Sequence, residues 1–416
     1  MPMGPRKSAK RLHDTRALWR ITTIPRVAII ELLIPEYKIH LFRDLHHVEN
    51  LQLLVCHGGR GDQDGPPAYD KEMPFPNVKV RTIRVPLSRR RSLHYQCVLK
   101  ELERYSPDVV IMQDGVRILS NVVVRSWCKR RGIPVAFYTH GWNHQASGRN
   151  SACHAVVEGI RQKALRRADA TIAYSEAVAE ALIRCGIPRE KVFTSPNTLD
   201  MKRIAEDVAR VSELDLESVR SHYGLRHDHL VLYVGRLVEG KKPQMLVHAA
   251  KIAAGNGKPF DVVMAGDGPL RLELEQLIAG SGPSPVRLVG QLAIDDLAPF
   301  LKLADLVCVP GMTGLVIVHA LAAGRAYVTC VSDDHGPEIT YMHDGENGRM
   351  VSPATAEALA TALTGLMAEP LTLERMGKAG QALALLECDP TRQRAGFVEA
   401  VTAVVARRVG DKMMRG

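Results

Sequence analysis

The segment Tyr233-Val234-Gly235-Arg236-Leu237-Val238-Glu239-Gly240-Lys241-Lys242-Pro243 places a glycine, an arginine and a lysine directly behind an apolar run. The guanidinium of Arg236 is a planar fork that matches phosphate oxygens, and the Lys241 ammonium adds a point charge. Pro243 reads as the first residue of a helix. Two cations and a helix N-terminus at a strand end suit a diphosphate, above all one that departs with its charge; taken singly, such cations are as often only solvated. A second stretch, VPGMTGLVIVHALAAGRAYV (residues 309–328), runs a loop containing Gly311 and Gly314 into an apolar helix over 315–323 that carries His319 and stops at Gly324. Glycines there would let a ligand or another backbone approach open amides, and the helix dipole favours an anion. The competing reading is a buried connection with one histidine in the core. In a third stretch, Gly266 turns the chain after another apolar run. It could approach a nucleotide or simply form a tight turn.

Positioning these groups requires strands and helices in alternation. Short β-branched runs over 26–33, 51–56, 78–85, 109–112, 134–138, 170–174 and 192–194 alternate with helical patterns such as 93–105 and 116–131. The second half repeats the grammar, with strands over 230–234, 260–265, 286–289, 306–309, 326–331 and 348–351. Helices over 242–255, 269–279, 294–302 and 356–368 separate them. This pattern predicts an α/β protein of two doubly wound parallel sheets facing a cleft. The expected division is a basic extension over 1–25, a first domain over 26–200 and a second over 201–390. A polar helix over 201–219 opens the second domain. A final helical segment, 391–416, packs back across the boundary.

The 416 residues are 46% apolar and 24% charged, the composition of ordinary globular cores. The net charge of +10 is unevenly spread. Residues 1–200 hold 32 Lys and Arg against 19 Asp and Glu, and the remainder 23 against 26. Arg89-Arg90-Arg91 and Lys129-Arg130-Arg131 lie in the first half, whose charge could meet an anionic membrane face or remain merely solvated. No zinc finger or aromatic-basic interleaving points to nucleic acid. Eight cysteines without a CxxC pair suit a reducing compartment. With no apolar run of ~20 residues and no secretory signal pattern, the expectation is a cytoplasmic protein, peripheral to the membrane at most. The run Gly61-Asp62-Gln63-Asp64-Gly65 imitates a metal-holding DxD but reads as a flexible loop, and no metal site is expected.

Taken in order, GRLVEGKK, MAGDGPL, VRLVGQL, LADLVCVPGMTGLVIVHALAAGRAYV and HGPEITYMHDGENGRMV resemble the donor domain of glycosyltransferase family 4. The Phe137–Gly141, Ala173–Glu176 and Ser195–Thr198 segments look like that family's acceptor-domain landmarks. The resemblance implies the GT-B fold and a retaining, metal-independent transfer of sugar from a nucleoside diphosphate sugar to an acceptor hydroxyl. The donor is a co-substrate, and no cofactor is implied. It implies that Arg236 and Lys241 bind and stabilise the leaving diphosphate, and that His140 lies near the donor sugar. Donor contacts would come from Gly235, Gly266, Gly311, Thr313, Gly314, Leu315, His319 and Glu338, with the amides of 313–315 cradling the distal phosphate. Tyr37 and Lys38, in the loop after the first strand, would stand on the acceptor side. A lipid-linked saccharide or a surface polysaccharide precursor is the expected acceptor, with lipopolysaccharide assembly one setting.

One departure matters. The family usually carries two glutamates eight positions apart across the 309–323 segment, and here those positions are Gly311 and His319. A neutral imidazole can still hydrogen-bond a ribose hydroxyl, whereas Gly311 offers only backbone. Asp333 or Glu338 could supply the missing carboxylate, although Glu338 also reads as an idle first-turn helix residue. The departure leaves two further readings open: a catalytically silent nucleotide-sugar-binding partner subunit, and a sugar-nucleotide 2-epimerase of the same fold.

Overall fold

The computed structural model describes residues 24–59, 68–87, 92–141, 152–280, 284–293 and 295–415. The Gly61–Gly65 run, the Arg89–Arg91 triplet and nearly all of the basic extension lie outside the described residues.

Fifteen strands are present among the described residues. The first lobe holds β1 (Arg26–Glu31), β2 (Gln52–His57), β3 (Asn77–Lys79), β4 (Thr82–Pro86), β5 (Ser92–Gln96), β6 (Val109–Gln113), β7 (Val135–Thr139), β8 (Ala170–Ala173) and β9 (Val192–Thr194). The second holds β10 (Leu230–Val234), β11 (Asp261–Ala265), β12 (Val286–Gly290), β13 (Leu306–Cys308), β14 (Ala326–Cys330) and β15 (Gly348–Val351). Two sheets have the orders β3-β2-β1-β6-β7-β8-β9 and β12-β11-β10-β13-β14-β15, and every pairing within them is parallel. In each, the chain winds outward one way from the first strand and then returns to its other side. The crevice between those two neighbours, β1/β6 and β10/β13, is where such sheets open at their carboxyl ends.

Alternation within β1 shows why the strands are apolar on both faces. Val27 and Ile29 join one cluster, with Ile111, Tyr138 and Ile172; Ala28 and Ile30 join another, with Met112, Phe137 and Trp127. The last helix, Pro390–Arg415, returns from the second lobe and buries Phe397, Val401 and Val404 in the first of these clusters. Each such side chain contributes roughly 1.5–3 kcal/mol. Its passage is fixed where the Ser195 hydroxyl donates to the Gln393 carbonyl (2.9 Å) and the His40 ring meets the Gln393 side chain (3.0 Å). In the other direction, Met201 and Ile204 of the Met201–Arg210 helix sit in the second lobe's core, and Tyr37 packs against it from the first.

Three local expectations fail. Residues 78–85 are not one strand: β3 joins the main sheet, and β4 pairs antiparallel with β5 in a two-stranded sheet of its own. β5 takes the start of the helix expected over 93–105, which begins only at Leu99. Its inward residues are the polar Ser92, His94 and Gln96, so its period of two carried no apolar signal. The helix expected over 201–219 is two helices, because the chain turns extended at Val211 and Ser212 caps the next helix through a reciprocal box with Asp215.

Candidate active site

The β10/β13 crevice brings together the loop after β10 and the loop after β13. The two are joined through their backbones: Gly311 N donates to Lys241 O (3.1 Å) and Met312 N to Gly240 O (2.7 Å). A Cβ on Gly311 would lie 2.2 Å from Gly240 O, so no other residue fits without displacing one loop. Beneath them, Gly266 passes so close to Gly235 that a Cβ there would meet its carbonyl oxygen, and the Gly266 amide donates to Gly290 O (2.7 Å). Gly266 therefore supports the β10 loop, and its amide is engaged within the protein.

Lys241 ends a short 3-10 turn, Glu239–Lys241, and Lys242 follows in a left-handed conformation (φ 50°) that starts the Pro243–Gly255 helix. A non-glycine residue in this region is uncommon and is held by its surroundings. The Lys241 ammonium lies over Gly235, 3.5 Å from Met312 O. Burial lowers its pKa to about 8; Glu338 acts in the opposite direction, and Arg236 lowers it further. Arg236 and Glu338 are therefore both within electrostatic reach of Lys241. The Arg236 carbonyl accepts from the Tyr233 hydroxyl (2.8 Å), which fixes the loop behind the guanidinium.

Glu338 is buried at the start of the 3-10 turn Pro337–Tyr341, and burial raises its carboxyl pKa above the usual range. Its Oε1 accepts from Asn197 Nδ2 at 2.6 Å, in the segment that links the lobes. Glu338 does lie in the first turn of that segment, as expected, but buried and hydrogen-bonded. Asp333 is exposed.

The expected phosphate cradle needs one correction. The Thr313 amide donates to His335 Nδ1 (3.1 Å), and its hydroxyl pairs with the Tyr327 hydroxyl (3.0 Å). Neither is open to a ligand. The amides of Gly314 and Leu315 take no acceptor among the described residues and lead into the Val316–Ala322 helix. His335 was missed by sequence reasoning, which valued its loop for carboxylates. Its Nε2 meets Cys330 O (2.9 Å), so one imidazole ties the loop after β13 to the end of β14. His319 is half-buried on that helix; its Nδ1 has no hydrogen-bond partner among the described residues, and burial lowers its pKa to about 4. At pH 7 the ring is neutral.

Across the cleft, His140 is exposed and its ring lies tilted against that of Tyr174, with centroids 3.7 Å apart. The strand ends behind it are clamped by Arg161, which donates to Asp114 (2.6 Å), Thr139 (2.9 Å) and Glu158 (2.8 Å), a network with no sequence signature of its own. Lys38 is buried and gives its ammonium to both oxygens of Glu31 (2.9 and 3.0 Å). Tyr37 is half-buried against the second lobe, where burial, Glu31 and Glu338 all hold its hydroxyl protonated. Among the described residues no cluster of His, Cys, Asp or Glu could hold a metal, and no helix is long and apolar enough to cross a membrane.

Two family models match the chain: glycosyltransferase family 4 over residues 49–203 and glycosyl transferases group 1 over residues 228–369. The chain is 27% identical over 257 residues to alpha-D-kanosaminyltransferase of Streptomyces kanamyceticus, a match covering 59% of this chain and 64% of that protein. It is 28% identical over 292 residues to D-inositol 3-phosphate glycosyltransferase of Rhodococcus opacus strain B4, covering 66% and 64%. The matched part thus spans just under two thirds of each relative's length. In fold it is similar to Anabaena Alr3699/HepE in complex with UDP, with a TM-score of 0.68 at 18% identity over 91% of this chain and all of that one. That likeness shows the GT-B fold of two Rossmann-like domains.

Proposed function

The chain belongs to glycosyltransferase family 4, and from that premise we propose that it moves a sugar, with retention, from a nucleoside diphosphate sugar to a hydroxyl of a lipid-linked saccharide or surface polysaccharide precursor. The observation that carries this reading is the convergence of Lys241, Arg236 and the loop after β13 on one crevice. Arg236 and Lys241 bind the diphosphate and stabilise it as the sugar–phosphate bond breaks, in a site where fixed charges act strongly. The Gly314 and Leu315 amides take the distal phosphate. His319, neutral, meets the ribose, and His140 stands beside the sugar from the other lobe. Glu338 opposes the burial that lowers the Lys241 pKa and, through Asn197, links this end of the site to the segment between the lobes. The donor is the only co-substrate required, and no metal takes part.

Contact with the acceptor occurs at the cytoplasmic face of a membrane. In support, the Ala152–Arg166 helix, clamped beside the His140 loop by Arg161, exposes Val156 and Ile160. The division into an acceptor domain ending near residue 200 and a donor domain beyond it is part of the same proposal.

A second reading is favoured by Gly311, where the packed backbone leaves no room for a carboxylate: the chain binds nucleotide sugar without turnover, as a partner subunit. The deciding experiment offers purified protein UDP-, GDP-, ADP- and dTDP-sugars with and without lipid-linked acceptors, and follows nucleotide release. Release with at least one donor, abolished in Arg236→Ala, is the expected result. Binding of a donor with no release from any mixture overturns the transferase reading in favour of the silent one.

A further inference from the structure

A trough of about 1220 Å³ opens at the opposite end of the first sheet from the cleft. Its floor is the chain entering β7, β8 and β9, at Pro134, Ala168 and Lys191. One wall is the Ser120–Arg131 helix and the other the end of the last helix, at Val404 and Arg408. Strands of four to five residues separate it from the cleft, about 15 Å away. It is therefore not part of the donor site.

Its lining is strongly basic. Four of the cations are engaged: Arg131 with Glu103 (3.1 Å), Arg408 with Asp108 (3.9 Å), Arg407 with Glu190 O (3.4 Å) and Lys191 with Ala168 O (3.1 Å). Arg125, Lys129 and Arg167 have no hydrogen-bonded or ion-paired anion among the described residues. The acid within the lining, Asp169, already accepts from the Val135 amide (2.8 Å). Arg125 is half-buried over the Phe137 ring; burial and then neighbouring Arg167 draw its guanidinium below the usual range, and the Asp169 carboxylate opposes them only in part. Like charges are thus held close in a concave space, an arrangement that an anion relieves. Cations in the last turn of a helix do favour its dipole. That accounts for Lys129 and for Arg167 at the C-terminal end of its helix, but not for Arg125 in mid-helix or for the last helix closing the opposite wall.

We propose that this trough binds a linear polyanion bearing several phosphate groups. Pockets for single small ligands run to roughly 300–1,000 Å³, so this space suits a chain segment. A flat bilayer would meet only the rim. The side chains of Val122, Ile133 and Val404 would line the space between charged groups.

The test measures binding of inorganic tripolyphosphate and long-chain polyphosphate to the intact protein across a salt series. The variants are Lys129→Glu/Arg167→Glu, both at exposed positions, Arg125→Gln, and Lys241→Ala as the cleft control. Wild type should bind with affinity that falls steeply with salt. The double variant should lose at least tenfold, Arg125→Gln several-fold, and nucleoside diphosphate binding should hold in both. Unchanged polyphosphate affinity in the double variant overturns the proposal. So does an equal loss in Lys241→Ala, which would place the anion in the cleft. Binding to anionic vesicles but not to soluble polyphosphate would also overturn it, in favour of a membrane contact.

Discussion

Each lobe sets a lysine at the end of a 3-10 turn just after its first strand, in Glu36-Tyr37-Lys38 after β1 and Glu239-Gly240-Lys241 after β10. The two turns occupy equivalent places at the switch points of two similar sheets, yet their charges are handled in opposite ways. Lys38 is bound by both oxygens of Glu31 and lies over the Tyr138 ring (5.1 Å), so its charge is neutralised within the lobe. Lys241 has no carboxylate within ion-pair distance among the described residues, and it is held next to Arg236 and two loop backbones. The first lobe's lysine is part of the scaffold; the second lobe's lysine has no such partner among the described residues, which is what the proposed diphosphate contact requires. Equivalent position in a repeated fold does not imply equivalent chemistry.

The largest effect that would break this contrast concerns the first lobe. Lys38→Met leaves Glu31 buried without its cation and should cost ~3–5 kcal/mol of unfolding free energy, read by denaturant titration. The double variant Glu31→Gln/Lys38→Met should recover most of that loss, and a cycle without coupling would show that the pair is not a unit. Next in size, Lys241→Ala should reduce turnover by ~10²–10³-fold while leaving the melting temperature at or above that of wild type. Donor affinity in the unaltered protein should decline as pH rises through about 8, where Lys241 loses its proton. A pH-independent affinity between 7 and 9 would remove Lys241 from the diphosphate.

A smaller effect sharpens the comparison by its sign. Because the folded pKa of Lys241 is depressed, the unfolded chain binds more protons between about 8 and the ordinary lysine value of 10.5. Lys241→Met should therefore stabilise at pH 7 by ~1–3 kcal/mol, and this gain should fade as pH rises through that window. A loss of stability at pH 7 would place Lys241 with Lys38 as scaffold. Smallest of all, His319→Ala should weaken nucleotide binding by several-fold, on the order of 1 kcal/mol for one hydrogen bond. Equal affinities by calorimetry would return His319 to a packing role.

The sequence announced its sheets clearly, since strands buried on both faces are continuous apolar runs, and residues such as Ile29 and Val263 are apolar whichever way they point. It did not announce β5, whose inward side is polar and whose Gln96 donates to the Glu31 carbonyl (2.8 Å). The cations of the second lobe were legible because the Rossmann grammar places strand ends at the crevice. Lys38 was legible as a residue near the cleft but not as one already paired, because Glu31 lies at the end of a strand and reads as its boundary. His335 was hidden for a similar reason: its partner is a backbone amide, and no residue type in the 309–315 loop advertises that bond. The closure of Gly311 against Gly240 was equally invisible, being a contact between two main chains.

The last helix gives the molecule an order of assembly. Phe397, Val401 and Val404 complete a core whose other members, from Val27 to Ile172, are made far earlier during translation. Domains ordinarily fold as units in the order they leave the ribosome. Here the first lobe's sheet, covered on that face by Leu41, Phe42 and Leu45 from its own chain, lacks the rest of its cover until residues 397–404 have emerged.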